Sequence, residues 1–214
     1  MNANDISAWV DKHLVRLGQS AFRLTASDGT VLYLDVFRPQ PAGPQADWLF
    51  FTHDHGDHFS PAVARSLMQA TTRVVTPLAM RETGADAGLA TDTLAPGETK
   101  NLGKFTVTAV AAYNLTRNFH PRTKNYVGYV FEVDGIRIYH AGDTDLVPEM
   151  TGLQVDLALL PVGGLMTMHW NHAVEASAVL GNPVVVPMHY GLIPFTAGKG
   201  RRFAGAYSGT TKLL

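Results

Sequence analysis

The sequence predicts one domain with a mixed α/β fold, and three observations support this. Its 214 residues fit a single domain spanning 1–214, and an apolar content of 46% is enough to bury a sizeable core. Strand patterns dominate the first third of the chain, and strands with interspersed helices follow. Residues 156–162 and 184–188 are continuously apolar, which is typical of strands buried on both faces in a layered fold.

Local patterns place the elements along the chain. The Asp28-Gly29 and Asp134-Gly135 pairs indicate hairpin turns, and Ser60-Pro61 indicates the start of a helix. The last 20 residues have no clear pattern. The predicted elements are a helix at 5–13, strands at 14–17, 21–24 and 31–34, a proline-rich loop at 39–44, a strand at 48–51, a helix at 60–69, a strand at 72–76, a helix beginning at 77–82, a surface segment at 83–99, a strand at 105–112, a hairpin at 126–133 and 136–140, a strand at 156–162, a helix at 171–180 and a strand at 184–188.

Composition excludes several function classes. A formal net charge of −1 gives no electrostatic support for nucleic-acid binding, so no nucleic-acid partner is expected. The absence of cysteine excludes disulfides, cysteine zinc fingers and a thiol nucleophile. The first 11 residues lack an apolar signal core, and no apolar run is long enough to span a bilayer. These features favour a cytoplasmic protein with no membrane partner, and they leave the oligomeric state open.

The segment from Thr52 to His58 is the strongest functional signal. It places His53, His55 and His58 with two aspartates directly after the apolar run 48–51. On extended backbone His53 and His55 point the same way, and Gly56 permits the turn that brings Asp57 and His58 towards them. Imidazole and carboxylate together suit zinc and neighbouring metals, with manganese and iron as alternatives. The segment therefore predicts a metal site.

Further candidate ligands lie at the ends of later predicted strands. Asn114 follows the strand at 105–112, Asp143 follows the strand at 136–140, and His189 follows the strand at 184–188. Layered α/β folds often collect functional residues at one sheet edge, so we expect these side chains to lie close to the segment from Thr52 to His58. Thr52, Ser60 and Asp145 are candidates for orienting the histidine rings.

These residues resemble the metallo-β-lactamase superfamily, in a compact branch that includes the ascorbate-phosphate lactonase. The His-x-His-x-Asp-His signature stands at 53–58, and the later aspartate and histidine match Asp143 and His189. The resemblance implies a four-layer αββα sandwich with two divalent metal ions at one edge. It also implies that His53 and His55 bind the first ion, that Asp57, His58 and His189 bind the second, and that Asp143 bridges them.

One position departs from the family pattern. Asn114 stands where the family usually supplies a third histidine for the first ion. Three alternatives are open: the first site is weakened, His120 substitutes for the missing imidazole, or only one metal binds tightly. Asn114 and His120 are therefore candidates for a first-site ligand or a substrate contact.

The implied function is hydrolysis of a small ester, lactone or phosphoester by a metal-bound hydroxide, with Asp57 as the catalytic residue. Arg117, Arg122, Lys124 and His169 are candidates for substrate binding, and the cations among them favour an anionic small molecule. A second hypothesis is a metal-binding protein with weak or no catalysis, its first site impaired by Asn114. A third is a nucleic-acid-processing hydrolase, which the near-neutral charge disfavours.

Overall fold

Two six-stranded β-sheets form the centre of the protein in the computed structural model, which describes residues 1–40 and 43–214. Part of the predicted proline-rich loop at 39–44 lies outside the described residues. The first sheet has the order β1-β2-β3-β4-β5-β6, with β1 Leu14–Gly18, β2 Ala21–Thr25, β3 Val31–Leu34, β4 Ala46–Phe50, β5 Met68–Pro77 and β6 Thr91–Leu94. The second has the order β12-β11-β10-β9-β8-β7, with β7 Thr99–Asn101, β8 Thr106–Ala111, β9 Val127–Val133, β10 Ile136–His140, β11 Leu157–Pro161 and β12 Val184–Met188.

Helices cover the outer faces of both sheets. Helices α2 and α3 lie on the first sheet, and α4 and α5 pack together against the end of the second sheet formed by β11 and β12. Helix α1 contacts both β1 and β12. The αββα architecture is therefore confirmed, with α1 Ala3–His13, α2 Pro61–Leu67, α3 Arg81–Asp86, α4 Trp170–Val179 and α5 Lys199–Ala206.

Strand β4 shows how the sequence builds the layers. Trp48 and Phe50 point into the core between the sheets, where Phe50 packs against Phe131 of β9 at 4.9 Å between ring centroids. Leu49 and Phe51 belong to a second apolar cluster, between the first sheet and α2. Because successive side chains of a strand point to opposite faces, a continuous apolar run is needed for a strand buried on both sides.

Strand direction determines where the functional residues lie. Strand β4 is parallel to both β3 and β5, and β10, β11 and β12 are parallel to one another. Parallel strands present their carboxyl ends at the same edge of a sheet. The segments that follow β4, β10 and β12 meet at one edge of the sandwich, as the contacts described below show.

The predicted elements agree with the structure except in three places. The helix predicted at 60–69 ends at Leu67, because Met68 already begins β5. The segment predicted to cross the surface at 83–99 instead contains the end of α3 and the edge strand β6, which pairs with β5, and the unpredicted strand β7 begins at its last residue. The unassigned terminus contains α5. Within the described residues, no helix has the length and apolarity to cross a membrane.

Candidate metal centre

A first cluster of three imidazoles lies beyond the end of β4. His53 and His55 follow this strand directly, and His120 reaches them from the long connection between β8 and β9. Their nearest ring nitrogens all lie within 4.8 Å of one another. His120 Nε2 is 3.1 Å from His55 Nδ1. We refer to these three residues as the first cluster.

A second cluster lies beside it and consists of Asp57, His58 and His189. One potential ligand atom from each of the three lies within 4.8 Å of the others. His189 Nε2 is 3.6 Å from Asp57 Oδ2, and the rings of His58 and His189 are stacked with centroids 5.5 Å apart. The cluster therefore brings together two turns that are 131 residues apart in the chain, one after β4 and one after β12.

Asp143 lies between the two clusters. Its Oδ2 is 2.9 Å from His189 Nε2, 3.5 Å from His120 Nε2 and 3.9 Å from His53 Nε2. Its Oδ1 is 3.2 Å from His58 Nε2. One buried carboxylate is therefore close to imidazoles of both clusters, which is the position that a bridging ligand requires.

Three atoms facing the centre fit a cation better than any protein partner. Within residues 1–40 and 43–214, His53 Nε2, His58 Nε2 and Asp143 Oδ1 are buried and have no hydrogen-bond partner in acceptable geometry. Buried polar atoms are otherwise almost always paired, because desolvation without a partner is costly. Imidazole nitrogens and carboxylate oxygens are the donors that zinc and its neighbours prefer, so the residues present fit a metal.

The charges of the centre support the same interpretation. Burial would lower the pKa of His58, but the Asp143 and Asp35 carboxylates outweigh burial and raise it well above the ordinary value. Burial also opposes protonation of His189, yet Asp143 raises its pKa to about 9. Burial lowers the pKa of His120 to about 4, despite the attraction of Asp143. The Asp143 carboxylate therefore stabilises positive charge at the centre, whether protons or a metal ion carry that charge.

A buried carboxylate that sequence reasoning missed holds the histidine rings in place. Asp35 Oδ2 is 2.8 Å from His58 Nδ1 and accepts a hydrogen bond from Thr52 Oγ1, while its Oδ1 accepts one from the Thr52 amide. Thr52 Oγ1 is in turn 2.9 Å from His53 Nδ1. Asp35, His53 and His58 also offer one ligand atom each within 4.8 Å of one another. Because Asp35 contacts His58 Nδ1 and already accepts from Thr52, we assign it to orienting the rings. Such partners fix the tautomer and orientation of ligating imidazoles.

Gln19 is a second residue that sequence reasoning missed. It lies in the turn between β1 and β2, and its Nε2 is 3.0 Å from Asp57 Oδ2 and 3.1 Å from His189 Nε2. Its carbonyl oxygen accepts hydrogen bonds from Arg16 and from the His189 amide. Gln19, Asp35 and His189 all adopt positive φ angles between 48° and 55°, which are uncommon for residues with a β-carbon and often mark functional sites.

The structure distinguishes the roles of Asn114 and His120. Asn114 Oδ1 accepts a hydrogen bond from the His120 amide and is 3.1 Å from His120 Nδ1, and Asn114 Nδ2 donates to the Met166 carbonyl. His120, in contrast, belongs to the first cluster. Asn114 therefore contacts the loop and ring of His120, and His120 is the third imidazole of the first cluster.

Other predicted residues lie in separate interactions. Arg117 forms an ion pair with Asp145, and Arg122 forms one with Glu149 at 2.9 Å. Among the described residues, the Asp145 carboxylate binds Arg117 and accepts from the Leu115 amide, and Ser60 caps α2 by accepting from the Val63 amide. The described contacts do not join the remaining two candidates to either cluster: Lys124, which is exposed, and His169, which interacts with Asn171 and Lys199.

Comparison with known proteins shows the family. The model of the β-lactamase superfamily domain matches residues 13–189, from the end of α1 to the last histidine of the second cluster. The chain belongs to the metallo-β-lactamase superfamily. A UPF0173 metal-dependent hydrolase from Nitratidesulfovibrio vulgaris is 33% identical over 201 residues, covering 87% of this chain and 83% of that protein. Another, from Thermococcus onnurineus, is 32% identical over 200 residues and covers 87% and 88%.

A solved structure shows the same architecture. The crystal structure of a Parabacteroides distasonis protein, assigned as a metal-dependent hydrolase, superposes with a TM-score of 0.81 at 27% identity. The match covers 94% of this chain and 91% of the other. Superfamily membership therefore extends across the whole sandwich and includes both clusters.

Proposed function

We propose that this protein is a metal-dependent hydrolase that uses two divalent cations, most simply zinc, to cleave a small ester, lactone or phosphoester. The observation that carries the proposal is the set of buried, unpartnered atoms of His53, His58 and Asp143, with the Asp143 carboxylate close to imidazoles of both clusters. The relatives named as metal-dependent hydrolases support the reaction class. The bond that is cleaved is the part of the proposal that experiment must establish.

Each cluster would hold one cation. His53, His55 and His120 would bind the first through neutral imidazoles, and Asp57, His58 and His189 would bind the second. Asp143 would contribute to both, since its two oxygens approach imidazoles of both clusters. In this arrangement His120 would supply the third imidazole of the first site. This weighs against the hypothesis that Asn114 impairs that site.

The cations, when bound, would lower the pKa of a water molecule and polarise the bond to be cleaved. Asp57 is the acidic ligand candidate closest to solvent, with its side chain 27% exposed against 2% for Asp143. It would accept the proton of the attacking water as the new carbon–oxygen or phosphorus–oxygen bond forms. It would return that proton to the leaving oxygen as the old bond breaks, so that one water is consumed. Gln19 holds the Asp57 carboxylate for this transfer by donating to Oδ2.

Metal reconstitution combined with an activity panel tests the proposal. The protein is stripped with a chelator, reloaded with zinc or manganese, and assayed for bound metal by mass spectrometry. It is then tested on p-nitrophenyl acetate, a γ-lactone and bis-p-nitrophenyl phosphate. We expect two equivalents of metal, with hydrolysis that depends on them. Fewer than one equivalent would overturn the proposal, and full loading without hydrolysis of any of the three would favour a metal-binding protein with little catalysis.

A further inference from the structure

Exposed apolar side chains are concentrated around the candidate metal centre. Among the described residues, five of the large apolar side chains that are at least 43% exposed lie on three loops at this edge. These loops follow β8, β11 and β12, and each also carries or adjoins a residue of the centre. We refer to the five residues as the apolar rim: Leu115, Phe119, Leu165, Leu192 and Phe195.

Contacts tie these loops to the centre and to one another. Phe119 directly precedes His120 of the first cluster. Leu165, Met166 and Ile193 line a small cavity of about 10 Å³ together with Gln19 and His189. Arg117 donates to the Leu165 carbonyl at 2.9 Å, which joins the loop after β8 to the loop after β11. Leu165 of the rim therefore reaches the wall of the second cluster, and Phe119 adjoins the first.

Two of the three cations predicted to attract an anionic substrate are neutralised by other groups, while the third, Lys124, is exposed. Arg117 is bound by Asp145 and by two backbone carbonyls. Arg122 is paired with Glu149 and lies 5.1 Å over the ring of Tyr113. An arginine already paired with a carboxylate offers little net charge to a ligand. At Arg117 and Arg122 the charge that the anionic hypothesis needs is thus largely compensated, while the neighbouring loops expose apolar side chains.

We propose that the substrate is uncharged and carries an apolar group that packs against the apolar rim while the bond to be cleaved lies at the metal centre. This inference rests on the proposed hydrolase function and defines its substrate class. Exposed apolar side chains near a site often mark a binding surface, and Leu165 and Phe119 of this rim adjoin residues of the centre. If each added methylene is buried on the rim, kcat/KM should rise by up to about fourfold per methylene.

A chain-length series tests this substrate class. The metal-loaded protein is assayed on p-nitrophenyl esters from acetate to octanoate, and on the matching esters that end in a free carboxylate. We expect kcat/KM to rise with chain length for the neutral esters, and to be lower for each carboxylate-bearing partner. A flat series, or a preference for the carboxylate-bearing esters, would overturn the inference while leaving hydrolase activity in place.

Rim variants supply the structural control. Leu165→Ser and Phe195→Ser should flatten the chain-length dependence. Leu213→Ser should not, because this residue is similarly exposed, at 48%, but lies near the start of β12 at the opposite end of that strand from His189. Sedimentation of each variant is measured in parallel. If the rim variants dissociate an oligomer and leave the chain-length dependence unchanged, the rim is an interface between copies and the inference is wrong.

A binding measurement separates the inference from the proposed function. If no ester is hydrolysed, binding of 2-decanone and of decanoate to the metal-loaded protein is compared by saturation-transfer NMR. If the ketone binds and Leu165→Ser weakens that binding, the result would support an apolar, uncharged ligand. It would then overturn the hydrolase proposal but not the inference about the ligand. Absence of ketone binding, or stronger binding of decanoate, would overturn the inference.

Discussion

The two clusters of the candidate metal centre are held in different ways. The first depends on His120, which lies on a loop between β8 and β9 and is fixed mainly by Asn114. The second is held by groups from distant parts of the chain, since Asp35 contacts His58 and Gln19 contacts both Asp57 and His189. The comparison indicates that the first cation should be the more easily lost, because fewer elements fix its ligands.

The largest effect should follow removal of the group that both clusters share. Asp143→Ala removes the buried carboxylate that approaches four imidazoles, so we expect metal content to fall from two equivalents to fewer than one and hydrolysis to fall to background. Metal analysis and the ester assay measure both. Asp145→Asn, two residues along, is the matched control and should keep both metals. Retention of two equivalents by Asp143→Ala would refute its bridging position.

The next effect should separate the two clusters. His120→Ala removes one imidazole from the first cluster only, so we expect loss of about one equivalent of metal while the second remains. Asn114→Ala keeps the imidazole but frees its loop, which should weaken the first metal by about 10–100-fold without changing the stoichiometry at saturation. Competition with a chelator measures the affinities, and Asn118→Ala, in the same loop, is the control. Equal behaviour of the His120 and Asn118 variants would remove His120 from the site.

These contrasts also show how much the sequence could predict. The short spacing of His53 to His58, the strand ends before Asp143 and His189, and the layered fold were all accessible, because each depends on local patterns. The contribution of His120 was left open, because spacing along the chain does not determine the path of a loop. Gln19 looked like an ordinary turn residue, and its partner His189 is 170 residues away. Asp35 did carry a usable signal, since it follows the apolar strand 31–34 as His53 follows β4.

A smaller effect should come from the partner of His58. The Asp35 carboxylate accepts hydrogen bonds from Thr52 and contacts His58. Asp35→Asn puts an amide in its place, which can accept through one oxygen only. We expect the second metal to bind about 10-fold or more weakly, with a lesser effect on the first through Thr52 and His53. Sequential chelator titration resolves the two losses. A larger loss at the first cluster would reverse the proposed order of support.

The smallest effect should come from Gln19→Ala. Its side chain donates to Asp57 without belonging to either cluster, so metal stoichiometry should persist while kcat falls by about 10-fold. The KM should change little, because Gln19 is assigned to proton transfer and not to the apolar rim. Gln19→Glu is the companion variant: it keeps the size but removes the donor, so it should not restore kcat. Full activity in both variants would show that Asp57 needs no such partner.

The left-handed backbone at Gln19, Asp35 and His189 has a consequence for evolution and for engineering. Glycine would relieve about 1 kcal/mol of unfavourable backbone energy at each position, but at Asp35 it would also leave the buried Thr52 hydroxyl and the His58 ring without their partner. Each replacement would delete a side chain that the centre uses. The unfavourable backbone is therefore tolerated for the sake of the side chains, and attempts to engineer a more stable protein should leave these three positions unchanged.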